Sequence, residues 1–191
     1  MTTSQPTRSR RRTMTGVLTG AVVIAAVGAG AVAVDLTGSD TRPAPSVVLA
    51  ADASGGNLRQ STHLTVESAT RAAQAALATA QQQHQRVSVV VVDRDGNTLV
   101  ALRGDGAGPQ SFESAERKAF TAVSWNAPTS ELAGRLQDAP RLADIPGTLF
   151  LAGGVPVTAD GAPVAGIGVA GAPSGDLDER FARAGVAELS R

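Results

Sequence analysis

The chain has no cysteine and no tyrosine, and it holds only two methionines, one tryptophan and four phenylalanines among 191 residues. Without cysteine, neither disulfides nor thiolate chemistry can operate, even in an oxidising compartment. Histidine is also scarce. His63 lies just ahead of an expected helix, and His84 follows Gln81-Gln82-Gln83 at that helix's polar end. Neither sits in a cluster with metal-ligand spacing, so both read as surface residues. No serine has a histidine and an aspartate at legible positions, which leaves triad-type nucleophilic catalysis without support. Lysine is reduced to Lys118, every other basic side chain among the 17 being arginine. This bias, with the abundance of alanine, suggests a GC-rich genome. Under that pressure a surviving lysine is either kept for its compact ammonium or placed by chance.

What is present first is an export signal. Arg8-Ser9-Arg10-Arg11-Arg12 precedes an uncharged apolar run from Val17 to Val34. A positive flank, a hydrophobic stretch and small residues near a cut are the layout of a secretory signal. Ala31-Val32-Ala33 fits the cleavage pattern, with Val48-Leu49-Ala50 and Ala51-Asp52-Ala53 as later alternatives. The run is long enough to remain as a membrane anchor, but its Ala and Gly content makes it weakly hydrophobic and favours cleavage. Paired arginines before a weak apolar core point to the twin-arginine route, although Thr13 stands where that signal has a bulky apolar residue. Removing residues 1–33 takes away four arginines and no acids. That leaves 13 basic against 17 acidic residues, a charge of about −4. A mildly acidic chain without a basic stripe is not built for nucleic acid, whose phosphates need neutralising.

Residues 34–61 mix Thr, Gly, Ser, Asp and Pro without apolar periodicity and read as a linker. The remaining 62–191 suffice for one domain with one core. Thr65 is expected to cap a helix to about Gln85, with Val66, Ala69, Ala73, Ala76, Leu77 and Ala80 on one face. Val87–Val92 reads as a strand covered on both faces, Asp95-Gly96 as a type I′ turn and Thr98–Arg103 as the returning strand. Ser111 is expected to cap a second helix, and Thr129 a short third one. Three strands follow: Thr148–Ala152, Val155–Thr158 and Pro163–Ala170. Asp176 and Glu179 read as a capping box for a last helix burying Leu177, Phe181, Ala184 and Leu189. The order αββααβββα with short links implies an α+β fold, an α/β sandwich with an antiparallel sheet of about five strands and helices packed on it.

Gly166-Ile167-Gly168-Val169-Ala170-Gly171 matches a dinucleotide-binding pattern. Such a site needs a later parallel strand bearing an acid about 20 positions on, and the chain after Gly171 is consumed by one helix. The motif is a decoy. Its physical content is alternation: Gly166 and Gly168 bare one strand face, open to a helix, a neighbouring subunit or a flat ligand. Glu113 and Glu116, three apart on one helical face, either chelate a hard cation weakly or form a solvated, dipole-favoured turn.

Taken in order, Asp93-x-x-Gly96, Arg103, Lys118-Ala119-Phe120-Thr121-Ala122, Pro128-Thr129, Gly153-Gly154-Val155-Pro156, Asp160-Gly161 and Gly166-x-Gly168-Val169-x-Gly171 resemble the GlcG/HbpS-like family over about residues 64–190. The export signal makes the chain similar to the family's exported actinobacterial branch. The resemblance implies an oligomeric, haem- and iron-binding accessory protein that partners a membrane sensor kinase in redox or haem sensing. The alternatives are a haem-degrading or small-acid enzyme, or a ligand-free structural partner of an envelope protein. Haem b would be held non-covalently, since there is no C-x-x-C-H attachment site. With no Met, Cys or Tyr beyond the export signal, an axial ligand is either one of the two histidines or an oxygen. For the latter the resemblance points to Thr121 beside Lys118. Arg103 and Lys118 are expected to pair with propionates or to form surface ion pairs, and Glu113 with Glu116 is the candidate metal site. The shortage of aromatics argues for a shallow or subunit-shared pocket.

Overall fold

A computed structural model describes residues 52–190. The export signal, the cleavage sites at Ala33 and Ala50 and the first part of the linker lie outside the described residues, and the third site, Ala51-Asp52-Ala53, straddles their start. Residues 52–61 are exposed and have no regular structure apart from one 3-10 turn, Gly55–Asn57.

Four helices and four strands follow: α1 (Val66–Gln82), β1 (Ser88–Asp93), β2 (Thr98–Arg103), α2 (Pro109–Trp125), α3 (Thr129–Gly134), β3 (Gly154–Ala159), β4 (Ala162–Ala170) and α4 (Gly175–Glu188). The sheet is antiparallel throughout, in the order β2-β1-β4-β3. Its period-two alternation sorts β1 cleanly. Val89 and Val91 join α1 and α4 in one core, while Val90 and Val92 join α2 in another. All four valines are fully buried, so a run of β-branched residues without polar alternation does mark a strand sandwiched between helices.

Thr65 caps α1 as expected, its hydroxyl accepting from the Ser68 N–H at 3.2 Å. The alanine face of α1 is buried at Ala69, Ala72, Ala73, Ala76 and Ala80, whereas Val66 at its start is 59% exposed. These small side chains let α4 close in, and a Cβ on Gly185 would stand 2.7 Å from the Ala72 carbonyl oxygen. On the other sheet face, Gly166 and Gly168 meet the backbone of α2, where an added Cβ would overlap the Ala119 and Ala115 carbonyl oxygens. The bare strand face therefore seats a helix.

Several local expectations are corrected. The sheet has four strands, because Thr148–Ala152 is not one of them. Its Thr148 carbonyl accepts from Arg117 and its Leu149 N–H donates to Thr121, so this stretch bonds to α2 side chains in place of a ladder. Ser111 does not cap α2. Gly108 takes that place with Pro109 in the first turn, and the buried Ser111 hydroxyl bonds Gly108 O and Ser88 Oγ instead. Pro128 occupies the cap of α3, and Thr129, the first helical residue, accepts from the Gly154 N–H at 2.8 Å. Ser174, whose Oγ accepts from the Leu177 N–H, caps α4. Glu179 is turned inward and Ala184 is only half-buried.

The two Asp-Gly turns also differ. Asp160 and Gly161 both have positive φ (50° and 77°), as a two-residue type I′ hairpin requires. Asp95 does not, and only Gly96 (φ 89°) is left-handed there. Asp93 folds that turn by accepting from the Asp95 and Asn97 N–H groups, both at 2.8 Å. Slight burial pushes the Asp93 carboxyl up, but the Asn97 side chain and these two N–H groups outweigh it and hold the group below its ordinary range.

Candidate functional site

The chain's one lysine is the most constrained charge in the domain. Lys118 lies on the inner face of α2 and donates to Asp178 Oδ2 at 3.0 Å and to the Val169 carbonyl at 3.1 Å. The two side chains of this ion pair are 6% and 4% exposed. The other Asp178 oxygen accepts from the Ala172 N–H at 3.0 Å. Burial raises the Asp178 carboxyl above its ordinary range; Lys118 and the N–H groups of Ala172 and Gly171 act against this without cancelling it. The pair crosslinks α2, the end of β4 and the first turn of α4. An arginine fork would be crowded here, because Gly153 packs directly on the ammonium: a Cβ at that position would come within 2.7 Å of the Lys118 Nζ.

A cleft of about 210 Å³ opens beside the pair. Its walls are Gln110, Ser111 and Ser114 of α2, Leu149 and Leu151, and the turn after β4 at Gly171–Ala172. Leu151 is 58% exposed at its rim. A second, mainly apolar cavity of about 270 Å³ shares the same leucines and is lined besides by Arg117, Leu136, Ala143, Thr148 and Phe150. Phe150 is anchored edge-on against Trp125, with ring centroids 5.2 Å apart.

Thr121 lies one turn after Lys118 and is fully buried. Its hydroxyl donates to the Arg117 carbonyl and accepts from the Leu149 N–H, both at 2.7 Å. Both of those hydrogen-bonding directions are engaged within the chain. Arg103 is elsewhere, at the end of β2, its guanidinium folded onto the Ala107 carbonyl at 2.7 and 3.2 Å. It does not line the Lys118 cleft. Glu113 and Glu116 point outward from α2. The first is 3.8 Å from Arg117, and the second accepts from Thr98 Oγ1 at 2.8 Å. Among the described residues no group of three or more His, Asp or Glu is placed to hold a metal. His63 bonds to Ser61 at 2.6 Å, and His84 lines a polar surface cavity with Gln81, Gln85, Arg86 and Asp105, away from Lys118.

Two acids escaped the sequence reading. Asp178 and Glu179 look like ordinary helix-start carboxylates, yet both are buried. Glu179 accepts from Ser130 Oγ at 2.8 Å and Ser130 N at 3.1 Å, and pairs with Arg183 at 2.7 Å. A single lysine within apolar helix spacing was the available signal, since a buried ammonium demands an acid somewhere.

Fold and site define a small α+β sandwich: an antiparallel sheet between helices, with a buried lysine–aspartate pair beside a cleft of mixed polar and apolar lining. The family model described as haem degrading protein HbpS-like matches residues 64–187, and the chain belongs to this family. A double Glu→Asp variant of Streptomyces reticuli HbpS is 74% identical, with a TM-score of 0.72, covering 73% of this chain and 95% of that one. A second crystal structure of HbpS is 77% identical at a TM-score of 0.71, covering 72% and 97%. A complex of PduOC with haem is 28% identical at 0.61, covering 66% of this chain and 95% of that one.

Proposed function

We propose that the protein binds haem b non-covalently in the cleft between α2 and the Leu149–Leu151 segment, and serves as an exported accessory protein. The observation that carries this reading is the lining of that cleft, where exposed leucine meets polar side chains of one helix and the Lys118–Asp178 pair, in a chain of a haem-related family. A flat amphipathic ligand with apolar faces and carboxylates fits such a lining. The residues that would hold it are Leu149 and Leu151 against the ring, with Lys118 as the proposed propionate partner and Thr121, bonded behind Leu149, as the proposed iron ligand; Arg103, the second propionate partner that the resemblance implies, stands outside this cleft. Haem when bound supplies an iron centre for redox or ligand sensing. A hydroxyl ligand would make the binding labile, which suits sensing or scavenging better than electron transfer. Exposed Phe112, Ile145 and Leu151 support a homo-oligomer in which a second copy covers apolar surface.

The test is titration of the purified protein with haem, read at the Soret band. A saturating shift that is lost in Thr121→Ala but kept in His63→Ala and His84→Ala supports the oxygen ligand. No spectral change at stoichiometric haem removes the reading. Two finer parts belong to the same proposal. Glu113 and Glu116 bind iron weakly on the outer face of α2, and isothermal titration with ferrous or ferric ion against Glu113→Gln/Glu116→Gln tests that. Export by the twin-arginine route and partnership with a membrane sensor kinase rest on the signal sequence and the resemblance. Secretion unimpaired by Arg10→Lys/Arg11→Lys contradicts the route, and kinase autophosphorylation indifferent to the haem-loaded protein contradicts the partnership. No helix among the described residues is long and apolar enough to cross a membrane. The description of the family as haem-degrading favours a second reading, in which bound haem is opened oxidatively. A Soret band that persists under reductant and oxygen counts against it.

A further inference from the structure

The segment Gly147–Gly153 is strapped to α2 at Arg117 and Thr121, and two cavities share its Leu149 and Leu151 as lining. Each cavity alone is smaller than the ~300–1,000 Å³ of a ligand site, and joined they fall within it. The strap is fastened by side chains and not by a sheet. Leu149 N–H donates to Thr121 Oγ1 and Arg117 Nη2 donates to the Thr148 carbonyl, both at 2.7 Å. Its two ends are glycines with positive φ, Gly147 at 80° and Gly153 at 131°. Gly147 is exposed, while Gly153 is pinned by its carbonyl to the Val169 N–H at 2.8 Å. The midpoint is half held: Phe150 is buried, but Leu151 beside it stands in solvent.

We propose that the strap is a gate over a single trough on α2, latched by the Leu149–Thr121 hydrogen bond. Arg117, freed from Thr148 when the gate opens, is the carboxylate-binding cation inside the trough. The inference rests on the haem reading and deepens it, because it explains how an enclosed Thr121 becomes reachable. Opening breaks two hydrogen bonds and exposes the Thr121 lone pair, the Arg117 guanidinium and the apolar walls on both sides of Leu149 together. Arg117 takes this role in place of Arg103 because its side chain is 40% exposed at the cavity edge, its carboxylate partner Glu113 stands 3.8 Å away, and its short bond goes to the moving segment.

The experiment is stopped-flow haem binding to the unmodified protein, Leu149→Pro and Arg117→Gln, using haem and its dimethyl ester. Leu149→Pro deletes the latch donor and leaves the Thr121 hydroxyl intact. It should speed haem association about 3- to 10-fold, the factor that one net hydrogen bond shifts an equilibrium. The unmodified protein should prefer haem to the ester about 10-fold, and Arg117→Gln should bind the two alike, because the ester has no carboxylate to pair. Amide exchange at Leu149 of the unmodified protein is the check that needs no variant: slow when free and faster with haem bound. Protection at Leu149 that haem leaves unchanged, or an ester preference that Arg117→Gln retains, overturns the gate while haem binding stands. Absence of any Soret change in every protein fails the haem reading itself.

Discussion

Replacing Lys118 by methionine keeps the side-chain length and removes one charge of a pair whose members are 6% and 4% exposed. Breaking a buried pair on one side costs about 3–5 kcal/mol, a large share of the ~5–15 kcal/mol that holds a domain together. The cost should depend on pH, with a determined sign. Burial already raises the Asp178 carboxyl in the native protein, with Lys118 as the first of the forces opposing it. Without Lys118 the carboxyl rises further. An acid whose folded pKa exceeds its unfolded value binds more protons folded than unfolded. Its stabilising contribution is present below the ordinary carboxylate range and is lost as pH rises through the raised pKa. Lys118→Met should therefore lose about 3 kcal/mol or more against the unmodified protein at about pH 8, and much less at about pH 4–5. Urea unfolding of both proteins at the two pH values measures this, and their difference cancels the other carboxylates. Adding Asp178→Asn should restore most of the loss at pH 8 and abolish the pH dependence. An equal loss at both pH values, or one under about 1 kcal/mol at pH 8, refutes the account of a charge left buried.

Gly168→Ala should destabilise the domain by about 3 kcal/mol or more, because the new Cβ meets the Ala115 carbonyl and the Ala119 N–H of α2, backbone that no rotamer can move aside. Thermal unfolding monitored by circular dichroism checks it, and a change below about 1 kcal/mol means the helix is not seated on that strand. Two other glycines have open space around them and should respond in opposite directions. Gly134→Ala, in α3, should stabilise by up to ~1 kcal/mol, while Gly161→Ala, at φ 77°, should cost ~1–2 kcal/mol of left-handed backbone strain. Thr65→Ala should cost ~1 kcal/mol through loss of the α1 cap, with hydrogen exchange accelerated first in the opening turn of that helix.

The sequence by itself determined what repeats locally. The valine run of β1, the alanine face of α1, the Thr65 cap and the Asp160-Gly161 hairpin are each set by neighbours within a few residues, and each stands in the structure as read. The family also lay open to reading, because an ordered set of glycines, Asp-Gly turns and Lys118 survives as a linear pattern. Other features needed the folded chain. Thr148–Ala152 has strand-like composition, but its polar backbone groups are taken by Arg117 and Thr121 from α2, 28 to 31 residues earlier. Asp178 and Glu179 carry the local pattern of a helix start, yet their burial depends on Lys118, 60 residues away, and on Ser130, 49 residues away. Gly166 and Gly168 look the same on paper whether they face a ligand or a helix, and the α2 backbone occupies that face. Periodicity and turn chemistry act over a handful of residues and can be read along the chain. Partners for a buried charge or an unpaired N–H come from whatever the fold brings near, and only the tertiary structure decided those.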